Sequence, residues 1–160
     1  MDNYITKKRY DELLKEVKRI REKELPAVSK AKLLAAEEGD LKENGGYHAA
    51  KERMELLMKK LEDYEGFVSS PTFIDDLNIK ADLVTLGTAV KVLDLQSNKE
   101  ARYSILGPAD ADPDNNIISF QTPIARGMIR KKVGDTCDIQ TPKGAKRLKI
   151  LEIKKYSTGG

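Results

Sequence analysis

Two patterns of hydrophobic positions divide this chain. From Thr6 to Glu38, apolar residues recur at spacings of three and four, which is typical of one face of an α-helix. The members of this stripe are Tyr10, Leu13, Leu14, Val17, Ile20, Ala27, Val28, Ala31, Leu34 and Ala35. The pattern predicts one long helix that begins after Thr6 as N-cap and is kinked, or loses one hydrogen bond, at Pro26. Because the stripe is narrow, this helix needs a partner.

A second helical pattern supplies the partner. Its apolar positions are Tyr47, Ala50, Met54, Leu57, Met58 and Leu61. Only the segment from Gly39 to Gly46 separates the two patterns, so we expect two antiparallel helices joined by a short turn. At about 1.5 Å per residue, the first helix would be roughly 50 Å long. The turn would therefore lie at one far tip of a hairpin.

The pattern changes near residue 70. The segment from Ser69 to Asp82 has little periodicity and predicts a linker, and short β-branched runs then predict strands. These runs are Leu83–Leu86, Ala89–Leu93, Ala101–Leu106, Ile117–Phe120, Cys137–Gln140 and Leu148–Ile153, with one short helix predicted from Pro123 to Lys131. The sequence therefore predicts an α+β protein with a helical hairpin in residues 1–75 and a small antiparallel sheet domain in residues 76–160.

Composition narrows the functional classes. A chain of 160 residues is too short for a barrel of eight strand–helix units. The 29 Lys and Arg residues nearly balance the 26 Asp and Glu residues, and a net charge of +3 is too small for a generic nucleic-acid binder. Cys137 and His48 are the only residues of their types, so we expect neither an internal disulfide nor a structural zinc site. With no membrane-spanning run and no secretory signal, we expect a cytoplasmic protein.

Candidate chemistry is concentrated in the turn of the hairpin. Asp40 and Glu43 lie there with Asn44 beside them. Carboxylates on a tight turn are hard oxygen ligands that suit Mg²⁺. Two carboxylates do not complete a metal site, so any remaining ligands must come from another molecule. The alternative is an ordinary solvated acidic loop, and the pattern of charges alone leaves both open.

Two motifs resemble those of a known family. Gly39-Asp40-Leu41-Lys42-Glu43-Asn44, followed by Tyr47-His48-Ala49-Ala50-Lys51-Glu52, resembles the motif of the GreA/GreB transcript cleavage factors. The stretch from Thr122 to Ile129, with Lys132-Val133-Gly134-Asp135, matches the second half of that family. The resemblance covers essentially the whole chain and is closer to GreA than to the more basic GreB. It implies an FKBP-like sheet fold for residues 76–160.

The resemblance also implies a function. In that family the coiled coil enters the secondary channel of bacterial RNA polymerase when the enzyme has backtracked. The acidic pair at the tip then helps to hold a second Mg²⁺ and a water, and the polymerase hydrolyses the 3′ end of its own transcript. We therefore expect a monomeric factor that acts on polymerase and nascent RNA without being an enzyme itself.

Roles of individual residues follow from the same resemblance. Asp40 and Glu43 would hold the metal, and Asn44 and Tyr47 would position the tip. The basic patch that contacts extruded RNA would include Lys51 and Arg53, although such charges are also typical of a plain solvated helix face. The residues expected to dock on the coiled coil at the rim of the channel are Thr122, Pro123, Ile124 and Ala125.

Two departures from the family pattern lie near the tip. Gly45-Gly46 stands where the family commonly has Ala-Glu, and Ala36 stands where many members carry Arg. The loss of one carboxylate could lower cleavage efficiency without changing its nature. For His48 we expect a packing or capping role.

Two other functions are alternatives. A related factor could occupy the polymerase channel and inhibit transcription without promoting cleavage; retention of Asp40 and Glu43 favours cleavage. An FKBP-like domain could instead be a peptidyl-prolyl isomerase. That activity needs an aromatic pocket, for which residues 83–160 offer only Tyr103, Phe120 and Tyr156.

Overall fold

The computed structural model describes residues 3–157, which form two compact units. One unit is Tyr10–Ser70, and the other combines the residues up to Arg9 with those from Pro71 onward. Helices make up the first unit, and a sheet with one short helix dominates the second. The predicted α+β class is therefore confirmed. Within residues 3–157, no helix combines the length and apolarity needed to cross a bilayer.

The first helical pattern forms two α-helices rather than one. α1 spans Lys7–Arg19, a π-helical turn follows at Ile20–Glu24, and α2 spans Leu25–Ala36. In the π turn, the backbone N–H of Leu25 donates to the carbonyl oxygen of Ile20, five residues earlier. Pro26 has no N–H to continue the α-helical pattern, and its ring would clash with the carbonyl four residues before it. The wider π turn accommodates this proline without ending the helical path.

The second pattern forms α3, Gly45–Val68, which runs back along α2. At about 1.5 Å per residue, its 24 residues extend about 36 Å. Ile20 and Leu57 are buried, whereas α2 has no buried residue and leaves Leu33 65% and Leu34 53% exposed. The apolar side chains near the end of α2 are therefore largely exposed.

The predicted linker contains a strand. β1, Asn3–Ile5, pairs in parallel with β2, Pro71–Phe73, and a short 3₁₀ turn follows at Ile74–Asp76. Three-residue strands are too short to show a period of two, so the hydrophobic pattern gave no sign of them.

Five further strands form the main sheet in the order β5-β4-β3-β7-β6. They are β3 (Thr88–Asp94), β4 (Lys99–Leu106), β5 (Ile117–Ser119), β6 (Thr136–Thr141) and β7 (Gly144–Lys155). Neighbours pair antiparallel except β4 and β5, which pair in parallel. These strands match the predicted runs from residue 89 onward.

The prediction of a strand at Leu83–Leu86 is wrong. These residues form turns and irregular backbone. Val84 is fully buried, and its N–H and carbonyl pair with Lys131 and Arg130 at 2.9 and 2.8 Å. The apolar run therefore reflects burial against the loop that follows the short helix.

That helix, α4, spans Pro123–Met128 and ends before the predicted Lys131. Arg130 adopts a φ of 73°, which no right-handed helix can include. Ala125 and Met128 of α4 are fully buried against the sheet. The buried core comprises Val84, Val90, Val92, Ile105, Ala125, Met128, Cys137, Ile139, Leu148, Ile150 and Ile153.

A half-buried aspartate joins the end of β1 to the loop after β4. The Asp110 carboxylate accepts hydrogen bonds from the backbone N–H and the hydroxyl of Thr6, at 2.9 and 2.6 Å. Burial raises the pKa of Asp110, while the two hydrogen bonds from Thr6 and the charge of Arg9 oppose that rise. Nearby, a Cβ at Gly107 would lie only 2.0 Å from the carbonyl oxygen of Tyr4. The close approach of β1 therefore requires glycine at position 107.

We expect Gly107→Ala to destabilise the sheet unit by about 1–3 kcal/mol, as overpacking commonly does. Gly107 has a φ of −87°, which alanine adopts freely, so the effect isolates the clash with Tyr4. Urea unfolding followed by circular dichroism measures it. As a control, Gly66→Ala places its Cβ in open space within α3 and should stabilise that helix slightly. Equal stability of Gly107→Ala and wild type would contradict the expectation.

Candidate functional site at the hairpin tip

The turn between α2 and α3 begins with hydrogen bonds that close α2. The backbone N–H groups of Glu37 and Glu38 donate to the carbonyl oxygens of Leu33 and Ala35, at 3.2 and 3.1 Å. Gly39 then adopts a φ of +123°, a conformation that side-chain-bearing residues rarely take. Glycine at this position therefore lets the chain leave the helix and reverse direction.

The two predicted metal-holding carboxylates lie in this turn, and both residues are exposed. Oδ1 of Asp40 accepts a hydrogen bond from the backbone N–H of Lys42 at 3.0 Å, which is a local Asx-type turn. The Glu43 carboxylate makes no hydrogen bond or ion pair with any residue between 3 and 157. Asp40 is thus held by the turn that it helps to form, whereas no hydrogen bond or ion pair from the described residues holds the Glu43 carboxylate.

Asn44 connects the ends of both helices. Its Oδ1 accepts from the backbone N–H of Tyr47 at 3.0 Å, which makes it the N-cap of α3. Its Nδ2 donates to the carbonyl oxygen of Ala35 in the last turn of α2, at 2.5 Å. One amide side chain therefore satisfies a backbone donor of α3 and a backbone acceptor of α2.

Two aromatic side chains follow Asn44 on the first turn of α3. Tyr47 is half-buried, and the Lys32 ammonium lies 5.8 Å from the centre of its ring. His48 packs edge-on to Tyr47, with ring centres 5.6 Å apart. Nε2 of His48 lies 2.9 Å from the carbonyl oxygen of Lys42. Since a carbonyl oxygen only accepts, Nε2 must carry the proton in this hydrogen bond.

The donor set at the tip suits a shared metal ion. Exposed carboxylate oxygens are the ligands that Mg²⁺ prefers. Within residues 3–157, no group of three or more His, Cys, Asp or Glu side chains is arranged to hold a metal ion. Asp40 and Glu43 therefore fit Mg²⁺ in chemistry but supply only part of a coordination shell.

The two residues of the predicted basic patch differ in their surroundings. Lys51 and Arg53 are both exposed on α3. The Arg53 guanidinium lies 3.5 Å from Oε1 of Glu24, which also pairs with Arg19 at 2.9 Å. Arg53 is thus partly engaged by the π turn, and the RNA-contacting role of both residues stays a prediction.

The residues predicted to dock lie around the start of α4. The Thr122 hydroxyl caps the helix by accepting from the backbone N–H of Ala125 at 3.3 Å, and it donates to the carbonyl of Ser119. Pro123 is exposed, and Ile124 packs partly against the core. Ala125 is fully buried. Of the four residues, Pro123 and the outer part of Ile124 are the ones available to a partner, while Thr122 and Ala125 support them from beneath.

Most of the chain matches models of known protein families. The model described as "Transcription elongation factor, N-terminal" matches residues 3–70, and the model described as "Transcription elongation factor, GreA/GreB, C-term" matches residues 79–155. The chain belongs to the GreA/GreB family of transcription elongation factors. Similar proteins include the transcription elongation factor GreA of Helicobacter acinonychis (strain Sheeba), which is 37% identical over 144 residues, 90% of this chain and 88% of that protein. The GreA of Francisella philomiragia subsp. philomiragia is also 37% identical, over 87% of this chain and 88% of that protein.

Some solved structures also align with most of this chain. GreA factor homolog 1 of Thermus thermophilus aligns over 96% of this chain and 99% of its own, with 23% identity and a TM-score of 0.44. A GreA/GreB factor from Nitrosomonas europaea aligns over 66% of this chain and 91% of its own, with 24% identity and a TM-score of 0.42.

Within this GreA/GreB protein, the departure at Gly45-Gly46 is not required by packing. A Cβ at Gly45 would meet nothing within 4 Å. At Gly46 it would lie 3.5 Å from Oδ1 of Asn44 and 3.6 Å from the Cβ of Ala35, which are ordinary contacts. A Cβ therefore fits at both positions, and the glycines instead make the first turn of α3 easier to unfold.

The expected packing of His48 is present, against the ring of Tyr47. The hydrogen bond from its ring to the Lys42 carbonyl inside the turn was not predicted from the sequence. Lys42 and His48 are six residues apart, a separation that does not bring two residues into contact within a helix or along a strand. Only the reversal at the tip brings the two residues together.

We expect Asn44→Ala to destabilise the hairpin by about 1–2 kcal/mol, because it removes an N-cap and leaves the Ala35 carbonyl without its side-chain donor. Asn44→Ser keeps a side-chain oxygen that can cap α3 and loses the donor to Ala35 without placing a second acceptor against that carbonyl, so it should cost less. Chemical unfolding of the two variants beside wild type measures both effects. If Asn44→Ser were as damaging as Asn44→Ala, the N-cap would not be the larger contribution.

Proposed function

We propose that this protein stimulates RNA polymerase to cleave the 3′ end of its nascent RNA in backtracked complexes. The observation that carries the proposal is the exposed pair Asp40 and Glu43 on a turn fixed by hydrogen bonds at the end of a two-helix hairpin. The membership of the chain in the GreA/GreB family of transcription elongation factors supports it.

The partial ligand set supports action inside another protein. Asp40 and Glu43 would hold a second Mg²⁺ together with ligands of the polymerase, whose secondary channel the hairpin would enter. That ion, when bound, would polarise the attacking water and stabilise the charge that develops on the phosphate. The two carboxylates of this chain provide charge and oxygen ligands, while the polymerase provides the bond to be broken. The factor is then not itself an enzyme.

The remaining predicted residues have roles in binding. Asn44 and Tyr47 would keep the tip in shape, and Lys51 and Arg53 would contact the extruded RNA. Pro123 and Ile124, supported by Thr122 and Ala125, would dock on the coiled coil at the rim of the channel. We propose that the factor acts as a monomer. Residues 1–75 would contain the hairpin that enters the channel, and residues 76–160 would form the docking domain.

We expect Asp40→Asn and Glu43→Gln each to lower the rate of transcript cleavage by about 100-fold, as loss of a group that stabilises transition-state charge commonly does. Both changes keep side-chain size and remove the charge, so polymerase binding should stay near wild type. The assay adds each variant to a stalled, backtracked complex and follows shortening of labelled RNA.

A matched control is Glu38→Gln, which removes an exposed carboxylate two residues before Asp40 and should leave cleavage unchanged. If the wild-type protein produced no more cleavage than buffer, the proposed function would be wrong. Slower elongation without cleavage would instead indicate a channel inhibitor. Loss of binding in the tip variants would show that the tip docks rather than supplies ligands.

We expect Pro123→Asp to weaken polymerase binding about tenfold, because it places a charge at the centre of the proposed docking surface. Aspartate is favourable in the first turn of a helix, so α4 should still form. The control is Pro142→Asp, which changes another exposed proline in the turn between β6 and β7. Equal dissociation constants for the two variants, measured by fluorescence anisotropy, would rule out Pro123 as a docking residue.

A further inference from the structure

We infer that His48 is a positioning residue that orients Glu43 by fixing the peptide group between Lys42 and Glu43. The inference concerns the same tip and rests on the proposed function for its consequence in cleavage. His48 contacts neither of the two carboxylates in the structure, so any effect must pass through the backbone of the turn.

The first observation is that both peptide groups flanking Lys42 are fixed from opposite sides. The N–H of Lys42 donates to Oδ1 of Asp40 at 3.0 Å, and the carbonyl oxygen of Lys42 accepts from Nε2 of His48 at 2.9 Å. That carbonyl belongs to the peptide bond between Lys42 and Glu43. Because a peptide group is planar, fixing its oxygen also fixes the direction of the bond that enters Glu43.

The second observation is that Glu43 depends on its backbone for orientation. Its carboxylate has no hydrogen-bond or ion-pair partner among residues 3–157. On the C-terminal side of Glu43, the carbonyl of Asn44 accepts from the backbone N–H of His48 at 3.1 Å, and Asn44 caps α3. Without the contact from His48, the Lys42 carbonyl oxygen, which belongs to the peptide group entering Glu43, would lose this hydrogen bond.

The third observation is that packing does not hold the turn in place of these bonds. Every residue from Glu37 to Glu43 is exposed. Gly45 and Gly46 follow Asn44 and lower the rigidity of the first turn of α3. His48 lies at the end of this first turn of α3, where its ring packs edge-on to Tyr47.

Two substitutions separate the hydrogen bond from the bulk of the ring. His48→Phe keeps an aromatic ring against Tyr47 and removes the donor, whereas His48→Gln keeps an N–H donor of similar reach. Glu52→Gln, one turn further along the same face of α3, is a control that leaves the tip unchanged. We expect cleavage at saturating factor to fall about tenfold in His48→Phe and to recover in His48→Gln, as for residues that orient a metal ligand.

The concentration of factor giving half-maximal cleavage should stay within twofold of wild type in His48→Phe. A residue that positions a ligand changes the maximal rate, whereas a docking residue changes this concentration. A shift in the half-maximal concentration with an unchanged maximal rate would therefore overturn the inference.

A second measurement uses the free protein and does not depend on cleavage. ¹⁵N relaxation should show the Glu43 amide losing order in His48→Phe, with its order parameter falling from the rigid range near 0.85 toward about 0.6. His48→Gln and Glu52→Gln should retain the wild-type value. An unchanged Glu43 amide in His48→Phe would overturn the inference whatever the cleavage result. Absence of cleavage with wild-type protein would overturn the proposed function alone, because the relaxation result still decides the role of His48.

Discussion

The tip of the hairpin depends on two hydrogen bonds made by the side chain of Asn44. This side chain joins the last turn of α2 to the first turn of α3 through the Ala35 carbonyl and the Tyr47 amide. Burial cannot replace it there, since Leu33 and Leu34 near the end of α2 are more than half exposed. Polar contacts with defined directions, rather than a packed core, therefore set the shape of the turn. Such contacts suit a site whose carboxylates must be accessible to a partner, because packing into a core would bury the same segment.

This constraint explains why so little of a metal site is present. Asp40 uses one oxygen within the turn, and Glu43 uses neither of its oxygens in contacts within residues 3–157. Within residues 3–157, no third His, Cys, Asp or Glu side chain joins the pair in an arrangement that could hold a metal ion. In the proposed function, the ligands that are missing here belong to the polymerase. The chain then needs only to hold two carboxylates in a fixed arrangement at the end of a helical support.

Helices and strands with a regular repeat of apolar residues were predicted correctly. Contacts between residues far apart in the sequence were not. The helix pair and the strands from β3 to β7 follow from apolar spacings that local geometry imposes on any amphipathic element. The strand expected at Leu83–Leu86 is wrong because Val84 is buried through bonds to the loop after α4, which no local pattern records. β1 and β2 were missed because their pairing joins residue 3 to residue 71. The π turn before Pro26 was anticipated as a disturbed hydrogen bond, but its form depends on how the helix continues past the proline.

The sequence by itself determined the class of fold, the family and the position of the acidic pair in a turn between two helices. These features depend on residue types and on their spacing along the chain, and the sequence alone contains both. Only the tertiary structure decided what orients that pair. The contact between His48 and the Lys42 carbonyl exists because the chain reverses at Gly39, and the bond from Asn44 to Ala35 exists because α3 returns beside α2. Hydrogen bonds across a turn depend on distance and angle in space, and spacing along the chain specifies neither.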